Sequence, residues 1–254
     1  EAINQDSTAL VIKVNDIYDG TETSINNVFT NINLGTSAIK NLSRILSIKS
    51  FPNNVVATSE LTTKVTEGTT SVYVTVEVSS SILLLPEKPM TGRFDNQKVG
   101  YFTNPLLSFS DAQQGTDKKQ YITRWRMEPK PEDREAYLKG QTVEPIKPIV
   151  FYIDNSTPYQ WRSYIKKGIE DWQTAFEKAG FKNAIIAKEI TDSMHVDMDD
   201  VNYSVLTYAA SEKKNAMGPS LLDPRSGEIL EADIMWWHNV LSMVREWITV
   251  QTDR

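Results

Sequence analysis

The sequence predicts an α+β fold, in which a β-rich N-terminal domain precedes a mixed, twisted sheet with a long backing helix and an antiparallel edge hairpin. Three observations lead to this prediction. Residues 71–85 alternate valine with polar side chains, which is typical of a half-buried strand. Residues 147–180 combine a short apolar run with a helical apolar stripe. Residues 223–227 form a good turn sequence, Asp-Pro-Arg-Ser-Gly.

The N-terminal domain, residues 1–95, is expected to be a meander of three or more strands. The patterns predict strands at 9–14, 55–65 and 71–85, and turns in the Asn-, Thr- and Gly-rich segment 20–36. Residues 39–51 fit either a helix or a strand by their spacing, and we favour a strand from Arg44 onward.

Residues 96–147 are expected to wrap over, or to link, the two domains. Frequent prolines interrupt this segment, which leaves one predicted strand at 121–127 and one short helix at 132–138.

From residue 148 onward the predicted order begins strand, helix, strand. The apolar strand 149–153 leads to a helix with Ser156 and Thr157 as capping residues and Pro158 as its first residue. Gly180 is expected to end this helix. Further strands are predicted at 184–190, 203–208, 217–222 and 229–236, and a last helix at 237–251. The strand–helix–strand order predicts a parallel pair of strands.

The composition of the chain argues against several classes of function. The net charge of the 254 residues is −6 and no basic run stands out, so nucleic acid is not an expected partner. The apolar runs are too short for a transmembrane segment. The absence of cysteine excludes disulfides, thiolate zinc sites and a cysteine nucleophile.

The candidate chemical groups are few. His195 and His238 lack an H-E-x-x-H spacing, and we interpret them as structural or surface residues. The acidic loop at 192–200 could bind calcium, but it lacks EF-hand spacing, which favours a solvated loop. Glu231 and Asp233 could act as acid and base, although solvent-facing alternation on a strand explains the same pattern.

Several blocks, taken together, resemble one enzyme family. The stretch PIVFYIDNSTPYQWRSYIKKGIEDWQTAFEKAGF, at 148–181, resembles the first strand and backing helix of a metzincin zinc endopeptidase. The blocks LLPEKPM, VGYF, YITRWRMEPK and DPRSGEILEADIMWWHN resemble segments of the large multi-domain zinc-dependent metalloproteases of the Bacteroidetes. The resemblance covers most of the chain from about residue 44, and it implies a metzincin-like upper catalytic subdomain at 148–254.

Catalysis in that family depends on the motif H-E-x-x-H-x-x-G-x-x-H, whose histidines bind zinc and whose glutamate activates water. None of the 254 residues belongs to such a motif, so we assign no catalytic or zinc-binding residue here. The resemblance implies a zinc cofactor only in a full-length protein, where the missing C-terminal part of the catalytic domain, beyond Arg254, supplies the motif. This chain alone is expected to bind no zinc and to be inactive.

The resemblance also implies a site for a peptide or protein substrate. In metzincins, the antiparallel edge strand that precedes the last strand of the upper subdomain pairs with substrate through its backbone. Here that strand would span 215–222, with 223–227 as its turn and 229–236 as its partner. Gly218 and Pro219 interrupt the row of backbone donors. The candidate residues are Asn215, Ala216, Met217, Gly218, Pro219, Ser220 and Leu221.

The resemblance implies the N-terminal portion of an exported zinc metalloendopeptidase, whose leader is not part of this chain. The alternative is a non-catalytic module for peptide or protein binding or adhesion. If the leading residues mask a cleft, Asp95 is the carboxylate expected to reach the zinc.

Overall fold

The computed structural model describes residues 2–3, 10–24, 28–34 and 37–252. The chain separates into two compact units, Glu1–Leu84 and Leu85–Arg254. Residues 85–95, which we expected in the N-terminal domain, therefore belong to the second unit, as do the linker residues 96–147. Strands predominate over helices in this mixed α+β fold.

The first unit is built around a three-stranded antiparallel meander. Its elements are β1 (Ala2–Ile3), β2 (Leu10–Val11), α1 (Asn15–Tyr18), α2 (Val28–Asn31), β3 (Arg44–Ser50), β4 (Asn54–Glu67) and β5 (Thr70–Leu83). β4 lies between β3 and β5, which confirms the predicted meander and the strand that starts at Arg44. Leu61 and Ala57 of this central strand are fully buried, as is Phe29 of α2.

Two expectations for the first unit were wrong. The predicted strand at 9–14 shortens to Leu10–Val11, and residue 9 lies outside the described residues. The predicted turns at 20–36 include the helix α2, because the apolar Val28 and Phe29 favour a turn of helix that buries the phenylalanine. Residues 25–27 and 35–36 of that segment lie outside the described residues.

The second unit contains a five-stranded sheet with the order β11-β14-β10-β8-β9. The unit begins with β6 (Thr103–Ser108), β7 (Asp117–Ile122), α3 (Arg134–Leu138), β8 (Ile149–Ile153), α4 (Tyr159–Glu170), α5 (Gln173–Lys178) and β9 (Ile185–Glu189). It continues with β10 (Ser204–Ala209), β11 (Ala216–Met217), β12 (Ser220–Asp223), β13 (Glu228–Ala232), β14 (Ile234–Trp237) and α6 (Val240–Thr252). Strands β9, β8, β10 and β14 are parallel, and β11 pairs antiparallel with β14.

The core of the second unit lies between the sheet and α4. Ile149, Phe151 and Ile153 of β8 point to the same face, because side chains alternate along a strand. Ile165 and Ile169 of α4, four residues apart and therefore on one helical face, pack against them. The predicted strand 149–153 and its parallel pairing with β9 are confirmed.

The helix after β8 differs from the prediction. Neither Ser156 nor Thr157 caps it: the Ser156 hydroxyl donates to the Asp154 carboxylate, and α4 has no side-chain cap. Pro158 is extended, with ψ 134°, so the helix begins one residue later. The helix also stops at Glu170, where Trp172 N–H bonds three residues back to Ile169, and it resumes as α5.

Gly180 follows α5 with φ +91°, which confirms the predicted stop.

The segment 96–147 has more structure than expected. It contains the hairpin β6–β7, and the predicted strand at 121–127 ends at Ile122. The strand ends there because the Arg124 N–H bonds to Gly227 O in the turn that follows β12, rather than to β6. The short helix predicted at 132–138 is confirmed as α3, which a 3₁₀ turn precedes.

Candidate functional site

The predicted edge strand is divided in two by the structure. Ala216 and Met217 form β11, the antiparallel edge of the five-stranded sheet, where they pair with β14. Ser220 and Leu221 belong instead to β12, which pairs with β13 in a separate hairpin. Asn215, Gly218 and Pro219 flank or join these strands. We expected one continuous partner strand at 229–236, and this was wrong. The partner is also divided into two strands, β13 and β14, which are separated at Asp233.

The division has a local cause at Gly218 and Pro219. Proline has no N–H to donate to a strand ladder, so the antiparallel pairing cannot continue through this position in the usual way. Pro219 contributes only its carbonyl oxygen, which accepts the Asp233 N–H at 3.0 Å. β11 is consequently a short edge, and the chain leaves the sheet directly after it.

The direction of the backbone groups on β11 follows from two hydrogen bonds. Trp237 N–H donates to Asn215 O at 3.3 Å, and Asp233 N–H donates to Pro219 O. Because neighbouring residues of an antiparallel pair direct their backbone groups alternately toward and away from the partner, Ala216 and Gly218 direct theirs away from β14. The outward Ala216 N–H already meets the side-chain oxygen of Asn215 at 2.9 Å.

The hairpin beside this edge is anchored by an ion pair between a buried carboxylate, that of Asp223, and the exposed Arg225. Asp223 is fully buried, and its carboxylate accepts hydrogen bonds from the guanidinium and the backbone N–H of Arg225. These bonds, the guanidinium bond first, hold the pKa of Asp223 below its ordinary value. The Arg225 Nη2 also donates to Pro86 O at 2.6 Å, so the turn is tied to the start of the second unit.

Glu231 and Asp233 form the other acidic feature of this region. The expectation that they face solvent was wrong for Glu231, which is only 7% exposed. Burial, followed by the hydrogen bond and the charge of Asp233, raises the pKa of Glu231 to about 8. Its Oε1 has no hydrogen-bond partner among the described residues. Asp233 accepts the Val205 N–H at 2.8 Å, so it links the edge region to β10.

An apolar groove of about 660 Å³ runs along the α4 face of the sheet. α4 packs over β9 and β8, whereas the groove reaches Leu206 of β10 and Ile234 and Trp236 of β14. Tyr164 and Trp172, on the helical side, are 70% and 65% exposed. The groove lining is therefore largely apolar, with Leu206 buried at its base and Ile234 and Trp236 partly exposed.

The histidines and acidic residues do not assemble a metal site among the described residues, where no group of three or more His, Cys, Asp or Glu could hold a metal ion. His195 is exposed in the acidic loop, and the ring of His238 hydrogen-bonds to Tyr208. In that loop Asp200 is buried and accepts the Asn202 N–H at 3.0 Å, a local turn contact. Asp95 lies next to β7, with its N–H bonded to Gln120 O.

Across residues 2–3, 10–24, 28–34 and 37–252, the structure contains no helix with the length and apolar character needed to cross a bilayer.

The fold and the edge together define a two-unit α+β protein whose second unit exposes a short antiparallel edge strand. The chain belongs to the family DUF5117, a domain of unknown function, whose family model matches residues 1–130. The match therefore includes the whole first unit and the β6–β7 hairpin of the second. No curated protein and no solved structure matches the chain.

Proposed function

We propose that the chain is the N-terminal portion of an exported zinc-dependent metalloendopeptidase, and that its second unit is the upper part of a metzincin-like catalytic domain. The observation that carries this proposal is β11. It is an antiparallel edge strand, it directly precedes the hairpin and the last strand β14, and it joins a sheet whose other strands are parallel. The resemblance of the sequence to metzincins implies a substrate-binding strand at this position.

The apolar groove also supports the proposal. A metzincin needs a helix that carries the first two histidines and the glutamate of its zinc motif. The groove beside α4, with Leu206, Ile234 and Trp236 along it, has the apolar chemistry that such a helix would cover. In this proposal zinc in the full-length protein supplies the activated water. The described residues supply the sheet, the groove and the backbone edge.

The role of the edge strand is to align an extended peptide. The Ala216 C=O and the Gly218 N–H and C=O point away from β14 and are the groups that an added strand would meet. β11 contains only Ala216 and Met217, and the chain leaves the sheet directly after it, so the pairing is limited to a short segment of substrate.

The same edge would serve a non-catalytic peptide-binding module, which is the second candidate function. The observation that favours it is β11 itself, because an exposed antiparallel edge strand can pair with an added peptide without any catalytic group.

One experiment separates the two candidates. The natural full-length protein is assayed on fluorescently labelled casein, with and without the chelator 1,10-phenanthroline, beside the 254-residue chain. The proposal expects hydrolysis by the full-length protein, loss of that activity with chelator and its return with added zinc. The 254-residue chain is expected to be inactive. A full-length protein without chelator-sensitive hydrolysis contradicts the peptidase proposal and favours the binding module.

Gly218→Pro tests the edge within that full-length protein, because it removes the outward N–H. Gly218→Ala is the matched control, since an added Cβ would meet only Asp233 O at 3.8 Å, an ordinary contact. We expect Gly218→Pro to lower kcat/KM on casein by about tenfold or more, the effect of one lost backbone hydrogen bond plus local distortion. Equal activity of the two variants would show that substrate does not pair with this edge.

A further inference from the structure

The two edges of the meander in the first unit differ in their protection against pairing with another strand. β3 carries two cations, Arg44 and Lys49, and its register with β4 shifts between Ile45 and Ser47. Charges and bulges of this kind are the usual means by which proteins prevent edge-to-edge association. β5, at the other edge, has no register shift and carries no cation.

β5 is a long and regular edge. Its register with β4 runs without a shift from Thr70, opposite Glu67, to Leu83, opposite Asn54. The strand contains no proline, and Glu77 is its only charged residue. Among the described residues it has a strand partner, β4, on one side only.

The outward hydrogen-bonding groups of β5 can be assigned. Leu84 N–H, directly after the strand, donates to Asn53 O at 2.8 Å, so even-numbered residues direct their backbone groups toward β4. By alternation, Tyr73, Thr75 and Glu77 direct their N–H and C=O groups away from β4. These odd-numbered residues therefore present a row of donors and acceptors along the edge.

The central valines of β5 are symmetric about Val76, with Val74 and Val78 at equal distances on either side. If β5 pairs antiparallel with the same strand of a second copy, a two-fold axis at Val76 lets the contact extend from Thr70 to Ile82. Val74 then lies opposite Val78, and Val76 opposite its own copy, on the half-buried face of the strand. β-branched residues in directly opposed positions are favourable cross-strand pairs.

The same register also suits the polar face. Thr75 lies opposite Glu77, and Tyr73 lies opposite Ser79, so the single carboxylate of each copy faces a hydroxyl and not its equivalent. Like charges directly opposite each other would be destabilising, and this register avoids them.

From the unprotected edge and its self-complementary sequence, we propose that β5 is a dimerisation strand. Two copies of the chain join through antiparallel β5–β5 pairing centred on Val76, which converts two three-stranded sheets into one continuous six-stranded sheet. This inference does not depend on the proposed peptidase function, because it concerns a different unit and a different edge.

Sedimentation velocity of the 254-residue chain, from about 1 to 100 µM, tests the proposal. We expect a concentration-dependent species of twice the monomer mass of 28.8 kDa. Thr75→Pro removes one outward N–H, and proline is tolerated on an edge strand when its nitrogen faces away from the partner. This variant is expected to raise the dimer dissociation constant at least about tenfold, whereas Thr75→Val, which keeps the N–H, leaves it within about twofold.

Amide hydrogen exchange of the unmodified chain provides a readout that does not depend on the folding of a variant. The N–H groups of Tyr73, Thr75 and Glu77 should exchange more slowly at about 100 µM than at about 1 µM, because pairing with a second copy protects them. A monomer across this range overturns the proposal. A dimer that is equally stable in Thr75→Pro and Thr75→Val, or that leaves these three amides unprotected, also overturns it.

Discussion

The buried carboxyl group of Glu231 is hydrogen-bonded to that of Asp233, its neighbour two residues along the chain, and burial raises the pKa of Glu231 to about 8. The pair lies beside the proposed substrate edge, because the Asp233 N–H holds Pro219 O. A carboxyl group with this pKa is mostly protonated at neutral pH, so it donates to its partner instead of repelling it.

We expect this pair to make the stability of the second unit fall as the pH rises. The pKa of Glu231 is higher in the folded state than its ordinary value of 4.5, so folding retains the proton. The protonated Glu231 contributes its full share to the free energy of unfolding below about pH 4.5. This contribution is lost as the pH rises through about 8. Glu231→Gln removes the titration and should be more stable than the unmodified chain at about pH 8.5, by about 1–3 kcal/mol.

Urea denaturation at several pH values between about 5 and 8.5, followed by tryptophan fluorescence, measures this effect. All six tryptophans lie at or after residue 125, so the signal reports on the second unit. An unchanged pH dependence in Glu231→Gln would show that another group is responsible.

The buried Asp223 should have the opposite effect to Glu231, because its contribution to stability is lost at low pH and not at high pH. Hydrogen bonds from Arg225 lower its pKa, so its contribution is present above the ordinary value of 3.8 and is lost as the pH falls below it. Asp223→Ala leaves the guanidinium and backbone N–H groups of Arg225 without their acceptor, and we expect a loss of about 1–3 kcal/mol near pH 7. Urea denaturation with tryptophan fluorescence measures this loss. Asp223→Asn, which retains one oxygen acceptor, serves as the control and should lose less.

Gly227 should tolerate alanine less well than Gly140, a glycine of the same unit that also has a positive φ. Gly227 has φ +75°, and an added Cβ would lie 2.5 Å from the carbonyl oxygen of Ile122. Gly140 has φ +82°, but nothing lies within 4 Å of its Cβ position. We expect Gly140→Ala to cost about 1 kcal/mol of unfolding free energy and Gly227→Ala about 2 kcal/mol or more. Equal losses for the two variants in urea denaturation would mean that the backbone alone, and not the close approach, limits Gly227.

The apolar groove should bind an apolar dye, and Gly168 offers a way to fill it. Gly168 lies in α4, lines the groove and has nothing within 4 Å of its Cβ position. Gly168→Leu should reduce the fluorescence of bound 1-anilinonaphthalene-8-sulfonate by at least about twofold, because the new side chain occupies the groove. Gly168→Ala, the control, should leave dye binding unchanged.

Both substitutions at Gly168 should stabilise the unit by about 0.5–1 kcal/mol, since glycine disfavours a helix interior. If dye fluorescence is equal in Gly168→Leu and Gly168→Ala, the dye binds to a surface other than this groove.

The sequence predicted the elements whose pattern is local. The meander β3-β4-β5, the strand β8, the stop at Gly180 and the helix α3 were all predicted, because alternation, helical spacing and turn residues act within a few residues. It also predicted the parallel pairing of β8 and β9 from the order strand, helix, strand.

The features that the sequence did not predict depend on contacts between distant segments. Period-two alternation assigned Glu231 to a solvent-facing position, whereas the packing around β13 buries it. A continuous edge strand was expected from 215 to 222, yet the Pro219 O–Asp233 N–H bond and the missing proline donor divide it into two sheets. No periodic pattern in the sequence indicated that Asp223 is buried. The sequence does show an arginine two residues after it, within the same turn.

The sequence by itself therefore determined an α+β chain with a valine-rich hairpin, a strand and helix at 148–180 and a turn at 223–227, since these depend on side-chain chemistry within short windows. Only the tertiary structure decided the strand order β11-β14-β10-β8-β9, the burial of Glu231 beside Asp233, and the unprotected edge of β5. Sheet order and burial arise from the free energy of packing segments far apart in the chain, which no local pattern contains.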